Sequence, residues 1–80
     1  MYMDKSEANV TLDLKGLSCP MPVVKTKKAL DALQPGQILF VESTDKGSKA
    51  DIPAMLKRTG NELLEVQEQG DVCAFFIKKK

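Results

Sequence analysis

The sequence contains no histidine, and this absence removes several kinds of chemistry from consideration. A cysteine–histidine hydrolase is excluded, because such an enzyme needs an imidazole base. Imidazole metal sites are excluded as well. The two cysteines, Cys19 and Cys73, lack the close spacing of a redox pair or of a four-ligand zinc site. We therefore expect neither a metal nor a cofactor.

The sequence also has few aromatic residues, little net charge and no long apolar run. Tyr2 and three phenylalanines are the only aromatic residues, so base-stacking side chains do not accompany the lysines. The formal net charge is +1, because 12 basic residues are balanced by 11 acidic ones, and this balance argues against direct binding of nucleic acid. No apolar run approaches the roughly 18 residues of a membrane span, and residues 1–9 do not resemble a secretion signal. We expect a cytoplasmic protein without a membrane partner.

The chain has 80 residues, which is the size of one small domain. A domain of this size buries about 60–65% of its unfolded surface and has little room for an enclosed active site. Any chemistry is therefore expected on the surface. We assign residues 10–78 to the folded domain, residues 1–9 to a flexible N-terminal tail and residues 79–80 to a basic tail.

Apolar periodicity predicts the element order β-α-β-α-β-β. The predicted strands are 10–14, 38–41, a strand around Leu64 and Val66, and 72–77. The first helix is predicted from about Pro20 to Leu33. Pro53 favours a regular start of the second helix near Asp51, because a proline deeper in a helix interrupts the hydrogen-bond ladder. Right-handed strand-helix-strand crossovers then favour an α/β (α+β) fold, built as a two-layer sandwich.

The stretch Cys19-Pro20-Met21-Pro22 lies where a strand pattern gives way to a helical one. With Cys19 as the cap, Pro20 and Pro22 occupy the first and third helical positions, where a missing N–H sacrifices little. We expect these prolines to fix the helix start and not to take part in chemistry. The helix start favours an anion, with the Met21 N–H as partner of the sulfur. A nucleophilic thiolate at Cys19 is one interpretation, and a buried structural cysteine is the other.

Helical periodicity divides the first helix into a core face and an exposed face. The predicted core face holds Pro22, Val23, Thr26, Leu30 and Leu33. The exposed side chains beside Cys19 form a candidate docking patch for a protein partner. The docking patch consists of Met21, Val24, Lys25 and Lys28. Ordinary solvent exposure is the alternative interpretation. Cys73 shares a strand face with Phe75 and Ile77, which predicts a packed and inert thiol.

The motif Leu14-x-Gly16-Leu17-x-Cys19-Pro20-x-Pro22, followed by Thr26-Lys27-Lys28-Ala29-Leu30, resembles the signature of the TusA/SirA-like sulfur-carrier family. The similarity continues through Pro35-Gly36, Asp45, Asp51-Ile52-Pro53 and Gly60-x-Glu62-Leu63, so it covers Val10 to Lys78. The resemblance implies a mixed four-stranded sheet with two helices on one face, and a persulfide carried on Cys19. It also implies a cysteine desulfurase or rhodanese-type donor. The implied acceptor is a protein of tRNA thiolation, molybdenum cofactor synthesis or sulfur oxidation.

Asp45 matches an acidic family position in the loop before the second helix. It is expected either near Cys19, as part of the partner-binding surface, or only as a turn residue. The leading hypothesis is a covalent sulfur carrier and not a stand-alone enzyme, since a carrier needs an exposed nucleophile but no substrate cavity. Two alternatives stay open. One is a regulatory or nucleic-acid-binding module that uses Lys25, Lys27 and Lys28, and the other is a redox protein that cycles Cys19 with Cys73.

Overall fold

A computed structural model describes residues 5–80 of the chain. A short 3-10 turn, Lys5–Glu7, precedes the regular elements. These elements are β1 (Val10–Leu14), α1 (Met21–Asp31), β2 (Ile38–Ser43), α2 (Ser48–Thr59), β3 (Glu62–Gln69) and β4 (Val72–Lys78). Their order confirms the predicted β-α-β-α-β-β pattern. Within the described residues, neither α1 nor α2 is long and apolar enough to cross a membrane.

The four strands form one mixed sheet in the order β1-β2-β4-β3. β1 and β2 are parallel, and β4 is antiparallel to both of its neighbours. α1 connects β1 to β2, α2 connects β2 to β3, and both connections move across the sheet in the same direction. Right-handed crossovers in one direction place both helices on one face of the sheet. The predicted two-layer sandwich, with both helices on one face, is confirmed.

The main hydrophobic core lies between the helices and the sheet. Its buried members are Leu14, Leu30, Leu33, Leu39, Val41, Ile52, Met55, Leu56, Phe75 and Ile77. On the opposite face, Phe40 and Phe76 lie with ring centroids 4.7 Å apart and form a smaller cluster with Ala74. β2 and β4 are thus buried on both faces, which explains the continuous apolar run at residues 38–41.

β3 contains a bulge that interrupts the alternation of its side chains. Leu63 lies opposite Ile77, but the next paired residue, Glu65, lies opposite Phe76, so Leu64 is an extra residue. Leu63 packs against the main core and Leu64 against the smaller cluster. Because the bulge shifts the parity of the strand, Val66 shares the helix-covered face with Leu63 and not the face of Leu64.

α1 begins one residue later than predicted. Pro20 is its N-cap, so Cys19 lies one residue before the cap and Pro22 is the second helical residue, not the third. The Met21 N–H donates to the Ser18 carbonyl at 3.0 Å, and not to the cysteine sulfur. The reason is that the chain turns tightly between Ser18 and Met21, which makes the Pro20 carbonyl the first acceptor of the helix, from Val24 at 3.1 Å.

The end of α1 also differs from the prediction. The helix ends at Asp31 and not at Leu33. The Ala32 and Leu33 N–H groups bond to carbonyls three residues earlier, at 3.2 and 3.0 Å. Such a tightened last turn is common at helix ends, because it satisfies carbonyls that have no partner four residues on.

α2 begins at Ser48, three residues before the predicted start, and contains Pro53 in its interior. A proline within a helix costs about 3 kcal/mol. Burial of Ile52, Met55 and Leu56 outweighs this cost, since each such side chain contributes about 1.5–3 kcal/mol. The helix ends at Thr59 and is followed by Gly60, whose left-handed backbone (φ 81°) is a conformation that glycine adopts readily.

A buried polar contact fixes the first turn of α2. Ser48 has no exposed surface, and neither does Ser43 at the end of β2. The Ser48 hydroxyl donates to the Asp45 carbonyl at 2.6 Å and lies 3.0 Å from the Ser43 hydroxyl oxygen. The hydroxyl of Ser43 also accepts the Asp45 N–H at 3.2 Å. This contact, which the sequence pattern did not indicate, favours the early helix start.

Asn9, the last residue of the predicted N-terminal tail, is hydrogen-bonded to β2. Residues 1–4 lie outside the described residues. Asn9 exchanges two hydrogen bonds with Ile38, because its N–H donates to the Ile38 carbonyl and its Oδ1 accepts the Ile38 N–H, both at 2.8 Å. Asn9 therefore extends the β1–β2 pairing by one residue.

The predicted basic tail is also joined to the domain by its backbone. The Lys79 N–H donates to the Gln37 carbonyl, and the Lys79 carbonyl accepts the Gly36 N–H, both at 2.8 Å. The Lys80 N–H donates to Asn61 Oδ1 at 3.0 Å. The basic composition of residues 78–80 indicated solvated side chains, but it did not reveal that the pairing of β4 with β2 continues beyond Lys78.

The contact between Ser43 and Ser48 yields a stability prediction. Ser48→Ala should lower the free energy of unfolding by about 1–3 kcal/mol, because the buried Ser43 hydroxyl and the part-buried Asp45 carbonyl both lose the Ser48 hydroxyl as a hydrogen-bond partner. Urea denaturation followed by circular dichroism measures the change. Ser18→Ala removes an exposed hydroxyl and is the matched control, with an expected change within about 0.5 kcal/mol. Equal losses in the two variants would contradict the structural role of this contact.

Candidate functional site

The amino-terminal ends of α1 and α2 lie at one edge of the domain. β1 and β2 are parallel, and each is followed by a helix, so both helices begin beyond the carboxyl ends of these strands. Each helix start presents N–H groups without intrahelical acceptors and the positive end of the helix dipole. This edge therefore favours an anionic group.

Cys19 lies at this edge, in the loop between β1 and α1. Its side chain is exposed, and its peptide bond to Pro20 is cis. The sulfur is 3.9 Å from Oδ2 of Asp51, which belongs to the first turn of α2. At this distance the thiol donates a weak hydrogen bond to the carboxylate. One side of the sulfur faces Asp51, and the exposure of Cys19 leaves it open to a second molecule.

The first turn of α1 is held rigidly next to this exposed sulfur. Pro22 is buried, and its carbonyl accepts a 2.6 Å hydrogen bond from the hydroxyl of Thr26, which has no exposed surface. The Met21 and Val24 N–H groups have backbone acceptors. Within residues 5–80, the Val23 N–H is the first-turn donor for which no backbone acceptor is recorded. The Val23 N–H, and not the predicted Met21 N–H, is therefore the donor of this turn that is available to bind an anion.

A groove between α1 and α2, here called the helix groove, leads away from Cys19. Near the sulfur it is lined by Pro20, Val23, Asp51, Ala54, Lys57 and Arg58. Further along it is lined by Val24, Lys27, Lys28, Asp31, Met55 and Thr59. The surface is mainly apolar with charged groups on its rim, and it is open to solvent. This geometry suits contact with another protein better than enclosure of a small substrate.

The structure places the docking patch on the exposed face of α1. Met21 is 40% exposed and Val24 is 51% exposed, and Lys25 and Lys28 are exposed as well. The predicted core face is confirmed, since four of its members are buried and Val23 is half-buried at the rim of the helix groove.

Asp45 does not line the helix groove with Cys19. It is half-buried in the loop between β2 and α2, where its backbone takes part in the turn that precedes Ser48. Its side chain lines a separate concavity that also contains Lys46, Lys49 and Cys73. The acidic residue that the structure places against the Cys19 sulfur is Asp51.

The sequence pattern did not indicate Asp51, Lys57 and Arg58 as site residues. A usable signal was present, because helices that follow two parallel strands begin at the same sheet edge. An acid in the first turn of the second helix therefore lies near a cysteine that precedes the first. Ala54 and Arg58 follow Asp51 by three and seven residues, so they share its helix face.

Cys73 is half-buried on β4 and packs against the main core, as its strand position predicts. Nearby, Lys49 Nζ lies 2.6 Å from Glu68 Oε1, and the hydrogen bond and charge of Glu68 raise the pKa of Lys49. Cys19 and Cys73 line separate concavities, and both are free thiols. Among the described residues, no group of three or more His, Cys, Asp or Glu side chains is arranged to hold a metal ion.

Comparison with known proteins gives a consistent result. Residues 10–79 match the family model described as "Sulfurtransferase TusA". The chain is 51% identical over 73 residues to the protein YrkI of Bacillus subtilis, covering 91% of this chain and 97% of that protein. It is 50% identical over 68 residues to the sulfur carrier protein TusA of Allochromatium vinosum, covering 85% and 90%. The crystal structure of a SirA-like protein from Desulfitobacterium hafniense superposes with a TM-score of 0.76 at 28% identity, covering 86% and 95%.

The different environments of the two cysteines yield a reactivity prediction. Under native conditions, iodoacetamide should modify Cys19 at least about tenfold faster than Cys73, because the Cys19 sulfur is exposed whereas Cys73 packs against the core. Mass spectrometry of proteolytic peptides, sampled over time, measures both rates. The same protein unfolded in urea is the control, and its two cysteines should react at similar rates. Faster native modification of Cys73 would refute this assignment.

Proposed function

Because the chain belongs to the TusA family of sulfur carriers, we propose that it holds sulfane sulfur as a persulfide on Cys19 and passes it to an acceptor protein. The observation that carries this proposal is the exposed Cys19 thiol at the meeting of two helix starts, beside an open groove. A carrier needs a sulfur that two different proteins can reach in turn. A single thiol on an open surface meets that requirement.

Loading is a sulfur transfer between two cysteines. The Cys19 thiolate attacks the outer sulfur of a persulfide on the donor protein. A bond forms between Cys19 Sγ and that sulfur while the bond from the sulfur to the donor cysteine breaks. The donor cysteine leaves as a thiolate, so the transfer involves no net oxidation or reduction.

Discharge is the same reaction in the opposite sense. A thiolate of the acceptor attacks the outer sulfur of the Cys19 persulfide, and Cys19 leaves as a thiolate. An anionic sulfur is present at Cys19 in both steps, and the positive ends of α1 and α2 favour it at this edge. The positive ends of the two helices thus favour the anionic Cys19 sulfur during both loading and discharge.

Pro20 and Pro22 support the site through the backbone. Each proline ring restricts φ to a narrow negative range, and Pro20 has φ −95° at the N-cap position of α1. The buried Pro22 ring and the Thr26 hydrogen bond hold the first turn of α1 in place. We propose that this rigidity keeps the Cys19 sulfur in one position while its partners change.

The docking patch and the helix groove form the proposed contact surface for donor and acceptor. Met21 and Val24 supply exposed apolar area next to the sulfur, and Lys25 and Lys28 supply positive charge at its rim. A few well-packed residues near the centre of an interface contribute most of the binding energy, whereas rim charges mainly change the association rate. Asp45 lines a separate concavity, and we retain it as a proposed partner contact outside the helix groove.

The proposed donor is a cysteine desulfurase or a rhodanese-type protein. The proposed acceptor is the next protein of a sulfur relay, such as tRNA thiolation, molybdenum cofactor synthesis or sulfur oxidation. We place the carrier in the cytoplasm, because a reducing compartment keeps thiols such as Cys19 and Cys73 free.

The two alternative functions have less support from the structure. A redox cycle between Cys19 and Cys73 requires two thiols in one site, and these thiols line separate concavities. A nucleic-acid-binding module would use the positive charge of the α1 lysines. Part of that charge is compensated, because Lys27 Nζ lies 3.2 Å from Asp31 Oδ2.

The carrier proposal predicts a single sulfur adduct. After incubation with a cysteine desulfurase and cysteine, wild type and Cys73→Ala should each gain the mass of one sulfur atom, because the persulfide forms on Cys19. Cys19→Ala should gain none. Intact-mass spectrometry measures the adduct, and treatment with a reducing agent should remove it. An adduct that is lost in Cys73→Ala would overturn the assignment of Cys19 as the carrier residue.

The docking proposal predicts a loss of transfer without a loss of folding. Val24→Asp and Lys28→Glu should slow sulfur transfer from a protein donor by about fivefold or more, because loss of an apolar anchor at Val24 costs more than about 1 kcal/mol of binding and reversal of the rim charge at Lys28 slows association. Both should change the free energy of unfolding by only about 0.5 kcal/mol. Transfer rates at limiting carrier concentration and urea denaturation measure the two effects.

Matched control variants carry the same changes elsewhere on the surface. Val66→Asp alters another exposed valine, on β3, and Lys78→Glu alters another exposed lysine, on β4. Neither should slow transfer, and all four variants should react normally with iodoacetamide. Equal slowing by the control variants would assign the effect to net charge and not to the docking patch.

A further inference from the structure

The carboxylate of Asp51 is the charged group that the structure places against the reactive sulfur. Its Oδ2 lies 3.9 Å from Cys19 Sγ. Within residues 5–80, no ion pair is recorded for Asp51, although Lys57 and Arg58 line the same groove. An acid in the first turn of a helix ordinarily stabilises that helix through its dipole. The distance to Cys19 gives this acid a second electrostatic effect.

That second effect opposes the attraction of the helix starts for anions. The Asp51 carboxylate carries a full negative charge whose oxygen lies 3.9 Å from the sulfur, well within the Debye length of roughly 8–10 Å at physiological salt. A compound that delivers sulfur must bring an atom into bonding contact with Cys19 Sγ. Any charge on a small donor therefore comes within several ångströms of the Asp51 carboxylate.

We propose that Asp51 is a specificity-determining residue of the Cys19 site, which repels small anionic sulfur compounds and favours partners that bring a cation against its carboxylate. The inference rests on the proposed carrier function. Low-molecular-weight persulfides, polysulfides and thiosulfate are anionic at neutral pH, and each would have to approach the carboxylate to reach the sulfur. A protein donor can offset the repulsion with a lysine or arginine that pairs with Asp51.

The positions of the charges along the helix groove indicate which charges a complementary partner carries. Asp51 lies at the sulfur end, whereas Lys57 and Arg58 follow six and seven residues later on α2. At a rise of 1.5 Å per residue, these positions are about 10 Å apart along the helix. A complementary partner carries a cation beside its own reactive cysteine and an acidic group about 10 Å away. Both donor and acceptor are expected to share this pattern.

Charged thiol reagents test the proposal without any partner protein. The probes are two methanethiosulfonates with the same reactive group, one with an ethylsulfonate tail and one with an ethyltrimethylammonium tail. Cys19 displaces methanesulfinate from both and forms a mixed disulfide. The rate constants are measured by stopped-flow or quenched mass spectrometry in a Cys73→Ala background, which leaves Cys19 as the only thiol.

Asp51→Asn should raise the ratio of the anionic to the cationic rate constant about tenfold at low salt, because one unit of charge at roughly 4–6 Å acts in opposite senses on the two reagents. The difference should shrink towards zero in 1 M KCl. Asp71→Asn makes the same charge change in the turn between β3 and β4 and should leave the ratio unchanged. Thermal unfolding of each variant verifies that the fold is retained.

Two results would overturn the proposal. An unchanged ratio in Asp51→Asn would show that the carboxylate does not act on the incoming reagent. Equal acceleration of both reagents would show that Asp51 affects only the reactivity of the sulfur and not its selectivity. Neither result bears on the persulfide adduct, which is measured separately with a desulfurase, so failure of this inference and failure of the carrier proposal are distinguishable.

Discussion

The handedness and the common direction of the two crossovers are the constraint on which the site depends. β1, β2 and β3 run in the same direction, so the helices that connect them run antiparallel to the strands and parallel to each other. Both helix starts consequently lie at one edge. Cys19 and Asp51 are 32 residues apart in sequence, yet this topology brings their reactive atoms to 3.9 Å. The helix groove is the space between the same two parallel helices.

Buried polar side chains are concentrated beneath this edge. The buried polar residues among those described are Thr26, Ser43 and Ser48. Thr26 bonds to the first turn of α1, and Ser48 bonds to the loop that precedes α2. Hydrogen bonds of this kind are costly to leave unmade once their groups are buried. The exposed sulfur thus lies beside two helix starts whose geometry is held by buried hydrogen bonds, whereas the groove next to it is open to solvent.

Local patterns in the sequence were sufficient for the element order, the core face of α1 and the packed position of Cys73, because each depends on periodicity or on neighbouring residues. The helix starts were less accessible. Pro53 indicated a late start of α2, but the buried contact between Ser43 and Ser48 and the burial of Ile52 outweigh the local preference of a proline. Asp51 was missed for a related reason, since its closeness to Cys19 follows from the topology and not from any motif around it.

The bulge at Leu64 has a consequence for how this protein meets others. β3 is an edge strand, and an unbroken edge is a template onto which another chain can add a strand. The bulge interrupts that template, and Glu62, Glu65 and Glu68 place repeated negative charge along it. The opposite edge, β1, has only five residues. Strand addition, which gives extended backbone pairing, is thus discouraged at both edges, in keeping with a contact surface proposed on the helical side and made by side chains.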